Sequence, residues 1–195
     1  MDIVTAKKDL RAALMARRGS IPDGQHRLAA TRIAEIGADA LSAEGAQTIS
    51  VFHSFGSEID TTPLMQALAD RGHTLCLPVI VARNEPLIFR RWSPGEPLVA
   101  GKFNIQVPSA EAPVILPEVM LVPLLGFDRQ GYRIGYGGGF YDRTLALLRS
   151  RAPVLAVALA FAAQEIDQVP HADYDQRVNA VLTEEGYRII QPESG

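Results

Sequence analysis

Between Gly131 and Arg143 the chain gathers residue types that could hold a phosphorylated ligand: glycines at 131, 135, 137, 138 and 139, the cations Arg133 and Arg143, the carboxylate Asp142, and the rings of Tyr136, Phe140 and Tyr141. Glycine lets backbone N–H groups approach an anion where a Cβ would block it, and a helix that follows adds unpaired donors and the positive end of its dipole. Arginine neutralises phosphate, a carboxylate holds a hard divalent cation, and aromatic faces accept a flat ring. The stretch matches neither the P-loop pattern nor the dinucleotide fingerprint, and a tight strand-to-helix connection would use glycine too. A merely structural turn, however, has no use for the clustered charges and rings.

Other candidates stand apart in sequence. Lys7 and Arg11 are four residues apart and share one face of an expected helix, with Lys8 and Arg18 placed around the cylinder from them; a solvated basic face is the alternative. His53 and Glu58 stand beyond the end of an expected strand, where open parallel sheets bind ligands. A structural histidine and a helix cap are the alternatives there. Asp173 and Asp175 sit in an acidic loop, and either could share a Mg²⁺ with Asp142 if the strand that follows joins the sheet beside the strand starting at Val119. Solvated loop carboxylates are the alternative.

The elements that must position these groups follow from periodicity. Val119 to Leu125 is an unbroken apolar run, the pattern of a strand buried on both faces, and Thr144 to Leu148 reads as a helix beyond the glycines. Upstream, helices are expected from about Asp2 to Arg18, then to about Ala43, and from Leu64 to Arg71. Strands are expected at Thr48 to His53, Thr74 to Val81, Leu87 to Trp92, Pro153 to Phe161 and Ala180 to Thr183. Ser93 to Pro117 is proline-rich, so loops are expected with a short extended piece near Phe103 to Val107, and Trp92 and Phe103 are candidates for the inner wall of a covered site. Strands separated by helices imply an α/β fold, a mainly parallel sheet with helices on both faces.

Length and composition fit one globular domain over residues 1–195, with 47% hydrophobic and 21% charged residues. A net charge of −3 supplies no basic field to gather nucleic acid. Cys76 is the single cysteine, so no disulfide framework is expected. No signal peptide and no run of membrane-spanning length is evident, and a cytoplasmic, membrane-free protein is expected.

The run Arg133-Ile-Gly-Tyr-Gly-Gly-Gly-Phe-Tyr-Asp142-Arg143, with Phe127-Asp128 and Gly131 before it, resembles the signature of the 5-formyltetrahydrofolate cyclo-ligase (5,10-methenyltetrahydrofolate synthetase) family. Weaker patches extend the resemblance over nearly the whole chain: Lys7 to Arg11, Glu58 with Asp60-Thr61, Leu77-Pro78, Ile105 to Pro108, and Pro170 to Thr183. The resemblance implies a three-layer sandwich of the NagB/RpiA/CoA-transferase-like kind and an ATP- and Mg²⁺-dependent closure of 5-formyltetrahydrofolate, polyglutamylated or not, to 5,10-methenyltetrahydrofolate, in a monomer. By position it implies ATP contacts at Lys7, Lys8, Arg11, Arg133, Ile134, Gly135, Tyr136, Gly137, Gly138, Gly139, Phe140 and Tyr141. It further implies catalytic roles for Arg133, Tyr141 and Asp142, folate contacts at His53, Glu58, Tyr136 and Phe140, and metal ligation by Asp142 and Asp175. Two departures are visible: Tyr136 and Gly138 stand where some members carry basic residues, and Asn179 stands where the tail often has a second aspartate. Other readings of the pattern are a non-catalytic folate- or nucleotide-binding or RNA-metabolism relative, and a sugar-phosphate isomerase on a similar sheet.

Overall fold

The computed structural model describes residues 3–191. Two helices open it, α1 (Ile3–Gly19) and α2 (Asp23–Ala43). Asp2, the expected start of the first, lies outside the described residues. Then follow β1 (Thr48–Ser50), α3 (Thr62–Asp70), β2 (Thr74–Val79), β3 (Ile88–Arg91), the two-residue strands β4 (Val99–Ala100) and β5 (Gln106–Val107), and β6 (Val119–Val122). The C-terminal part contains β7 (Gly126–Phe127), β8 (Arg133–Ile134), α4 (Phe140–Arg149), β9 (Leu155–Leu159), β10 (Ala180–Thr183) and β11 (Gly186–Ile189).

The main sheet has seven strands in the order β11-β10-β9-β6-β1-β2-β3. Its five inner strands run parallel, and the edge strands β3 and β11 are antiparallel to their neighbours. Side chains of a strand alternate between faces, and the sequence loads both faces with apolar residues. Ile49, Leu75, Leu77, Val119, Leu121, Val157 and Leu182 meet Ile33 and Leu41 of α2 and Leu64, Met65 and Leu68 of α3. Cys76, Met120, Val122, Ala156, Ala158 and Val181 meet Leu145 and Leu148 of α4. Each Val, Leu, Ile or Met among them contributes about 1.5–3 kcal/mol on full burial. The result is the three-layer architecture with helices on both faces. Burial also pushes the Cys76 thiol up to about 12, leaving it inert in the core.

The expected elements are present, with differences at their ends. β1 stops at Ser50, so His53 lies in the loop beyond it, and the 93–117 passage carries the β4–β5 hairpin with a 3-10 turn, Lys102–Asn104, between its strands. β10 joins the sheet beside β9, not beside β6, because β9 takes the place next to β6. The β7–β8 hairpin and β11 were not anticipated.

Candidate active site

β6 delivers the chain to a hairpin that one carboxylate holds shut. Asp128 is buried; its Oδ1 accepts N–H bonds from Gln130 and Tyr132, both at 3.0 Å, and its Oδ2 accepts one from Val169 at 2.9 Å. That turn fixes β8 and therefore Arg133. Beyond β8 the glycine loop runs to Gly139, which takes left-handed φ/ψ of 65° and 11° and caps α4, so Phe140, Tyr141, Asp142 and Arg143 form the helix's first turn. None of the N–H groups of residues 135–139 donates a hydrogen bond among the described residues. They form a row of unpaired donors at a helix start, the geometry of an anion cradle.

Charge surrounds the cradle. Arg133, with 5% of its side chain exposed, donates from Nη2 to Asp142 Oδ1 at 2.9 Å and from Nη1 to the carbonyl of Gln176. Asp142 Oδ1 also accepts the Gln176 N–H at 3.0 Å. Arg143 folds back, donating to Gly138 O at 2.6 Å with its guanidinium 5.2 Å from the centre of the Phe140 ring, and its Nε is buried with no partner. From α1, Arg11 donates Nε–H to Gly135 O at 3.0 Å. A Cβ at Gly137, where φ is +93°, would stand 3.3 Å from the Arg11 guanidinium carbon. Lys7 is buried and paired with Asp175, whereas Lys8 is exposed and unpaired among the described residues.

The second wall is the loop after β1. Ser54 and Thr61 close it on itself, with Thr61 Oγ1 donating to Phe52 O at 2.6 Å. Glu58 keeps 8% of its side chain exposed; its Oε2 accepts the Phe55 N–H at 2.8 Å and its Oε1 accepts the Tyr136 hydroxyl. Burial pushes the Glu58 carboxyl above its ordinary range, opposed by the bond from Tyr136 and the charge of Arg18. Burial likewise raises the Tyr136 and Tyr141 phenols, with the Glu58 charge adding to both. His53 packs edge-on to Trp92 at 5.1 Å between ring centres, and its Nε2 is buried without a partner. Burial lowers its pKa, and Asp60 acts in the opposite sense. Trp92 is a core anchor, while Phe103 is exposed and lines no wall.

Sequence reasoning placed Arg18 on a different side of α1 from Lys7 and Arg11, and the structure corrects this. Lys7 and Arg18 are eleven residues apart, three helical turns at 3.6 residues per turn, so they share a face. Arg18 is 3% exposed and donates to Ser57 Oγ at 3.0 Å, Leu124 O at 3.1 Å and the Tyr136 hydroxyl oxygen at 2.8 Å.

The two proposed metal carboxylates are distant in sequence, brought toward each other by the fold, and already engaged. Asp142 sits against the backbone of Gln176, next to Asp175, yet Arg133 holds the first and Lys7 the second. Asp173 is exposed. No group of three or more His, Cys, Asp or Glu suited to a metal ion occurs among the described residues. Two hard oxygen donors still fit Mg²⁺, which takes one or two carboxylates and completes its shell with water and phosphate.

Residues 3–184 match the model of the 5-formyltetrahydrofolate cyclo-ligase family. The chain is 36% identical over 145 residues to the 5-formyltetrahydrofolate cyclo-ligase of Escherichia coli strain K12, covering 71% of this chain and 78% of that one. With the enzyme of that name from Mycolicibacterium smegmatis it shares 34% over 196 residues, covering 91% of this chain and 93% of that one. The NMR structure of Aquifex aeolicus 5,10-methenyltetrahydrofolate synthetase superposes with a TM-score of 0.77 at 24% identity, over 97% of this chain and 95% of that one, and so has the same fold. This chain belongs to the 5-formyltetrahydrofolate cyclo-ligase family.

Proposed function

We propose that the Arg133–Tyr141 loop takes the phosphates of ATP and the loop holding His53 and Glu58 takes the folate, within a single domain spanning 1–195. The chain is an enzyme of an ATP-dependent family that converts 5-formyltetrahydrofolate to 5,10-methenyltetrahydrofolate. The observation that carries the site assignment is the row of unpaired N–H groups at 135–139, flanked by Arg11 and Arg133 and joined through Tyr136 to Glu58.

The chemistry suits such a site. A formamide oxygen leaves poorly, so the γ-phosphoryl group is transferred to it: the bond to ADP breaks, an O–P bond forms, and the product is a phosphorylated imidate. The N10 lone pair then attacks the formyl carbon, phosphate departs with the oxygen, and N10 loses its proton. The enzyme aligns two substrates and neutralises charge. Arg133 and Arg11 stand beside the cradle for the phosphates, with Lys7, Lys8 and Ile134 contributing to the nucleotide site. Tyr141 borders the reacting groups, and Tyr136 and Phe140 offer faces to the rings. Asp142 and Asp175 would hold Mg²⁺, which when bound neutralises the β- and γ-phosphates. The folate, polyglutamylated or not, and ATP are the partners, and we expect a cytoplasmic monomer without nucleic-acid or membrane partners. No helix among the described residues is long and apolar enough to cross a membrane.

The test is direct. Protein mixed with 5-formyltetrahydrofolate and Mg-ATP should generate the near-ultraviolet absorbance of the methenyl product, with ADP formed in equal amount. A folded protein that produces neither would refute the reading.

A further inference from the structure

We propose that Arg18 is a positioning residue that sets both substrate loops at once, by fixing Tyr136 of the glycine loop and Glu58 of the β1 loop from a single buried guanidinium. A fully buried arginine is costly unless each of its N–H directions is met, and a well-packed apolar residue would serve stability as well. Here each of the three nitrogens finds an acceptor, in a different part of the molecule. Nε–H goes to Ser57 in the β1 loop, Nη1 to the carbonyl of Leu124 just beyond β6, and Nη2 to Tyr136. Glu58 Oε1 stands 3.8 Å from Nη1 and accepts the Tyr136 hydroxyl, so a chain of donors runs from Arg18 through Tyr136 to Glu58.

The anchor at Leu124 matters because it lies two residues beyond β6, buried in the connection to β7, where Gln164 donates to the same carbonyl at 3.0 Å. Arg18 thus refers two loops, 54–58 and 135–139, to one fixed point. Lysine has a single compact charge and no planar fork, so it cannot span the three directions. Arg18 does not reach the reacting atoms and acts through Tyr136 and Glu58.

The inference rests on the assignment of these loops to the two substrates. Its test therefore has one arm that needs no ligand. Amide hydrogen exchange in the unliganded protein reads Phe55 and Glu58, whose N–H groups are bonded within the β1 loop. Arg18→Met should speed their exchange at least tenfold. Tyr136→Phe, on the opposite loop, should speed it at least threefold. In the ring-closure assay Arg18→Met should raise KM for the folate about tenfold and KM for ATP about threefold. The double variant should be no worse than Arg18→Met alone, because both changes cut one chain. Unchanged exchange after Tyr136→Phe, multiplying defects in the double variant, or a lowered Tm with both KM values unmoved would overturn the proposal. If Arg18→Met does not fold, Arg18→Lys is read by the same criteria. Wild-type protein silent in the assay would fail the substrate assignment alone, and the exchange arm would still decide the coupling.

Discussion

At the scale of single residues, the sharpest question is what Asp142 does. Its Oδ1 already serves Arg133 and the Gln176 N–H, contacts that asparagine can keep in part. Asp142→Asn should therefore change unfolding free energy by about 1 kcal/mol while lowering turnover about 10²-fold, the scale lost when one charge-stabilising group is removed. Equal turnover in the variant would show that the carboxylate holds no metal. His53 makes a different prediction. Burial places its folded pKa below the ordinary 6.5, so neutral His53 is favoured on folding. That contribution to stability is present above pH 6.5 and is lost as pH falls through the lowered value. His53→Gln should flatten the fall of Tm on the acid side of pH 6.5, and parallel Tm curves would contradict it. The clustering of the glycine loop with Arg133 and Asp142 at the start of α4 was legible in the sequence because all of them fall within a dozen residues. Arg18 was missed although its spacing from Lys7 is helical; a cation at that phase looks like solvated surface until the partners 39 to 118 residues away are known.

At the scale of elements, α1 is the part whose role can be separated from its packing. Leu14 is 4% exposed and meets Leu125, Ile134 and Val169, which seats the helix over the β7–β8 hairpin. Leu14→Ala should cost about 2–5 kcal/mol in chemical denaturation. Because the same helix carries Arg11 to the glycine loop and Lys7 to Asp175, KM for ATP should rise in the variant that remains folded. A stability loss with an unchanged KM for ATP would detach α1 from nucleotide binding. The helix itself is readable in the sequence, where Leu10, Ala13 and Leu14 recur at helical spacing. The β7–β8 hairpin was hidden because its strands are two residues each, too short for any period, and it is Asp128 that holds them. β11 was hidden similarly: Tyr187 and Arg188 look like surface, and pairing with β10 makes the strand.

At the scale of the whole molecule, the inner parallel strands aim their carboxyl ends at one side, and the chain leaves β1 toward His53 and Glu58, and β6 toward the glycine loop, from that side. A nucleotide bound there should stabilise the fold by mass action. Mg-ADP at about 100 times its Kd adds about 2.7 kcal/mol, which for a chain of this size raises Tm by roughly 5–10 °C. Chelation with EDTA should remove much of that shift; an equal shift with and without EDTA would show that Asp142 and Asp175 hold no metal with the nucleotide. The parallel sheet was evident from alternating strands and helices, whereas the order was not. Which neighbour β10 chooses depends on contacts made only in three dimensions, and it chose β9. The pairing of Lys7 with Asp175 has a consequence for biosynthesis. The two residues are separated by 168 positions, and Arg11 reaches a carbonyl 124 positions away. A ribosome therefore releases the first helix long before it makes anything for that helix to dock on, and the proposed nucleotide site is among the last features of the nascent protein to close.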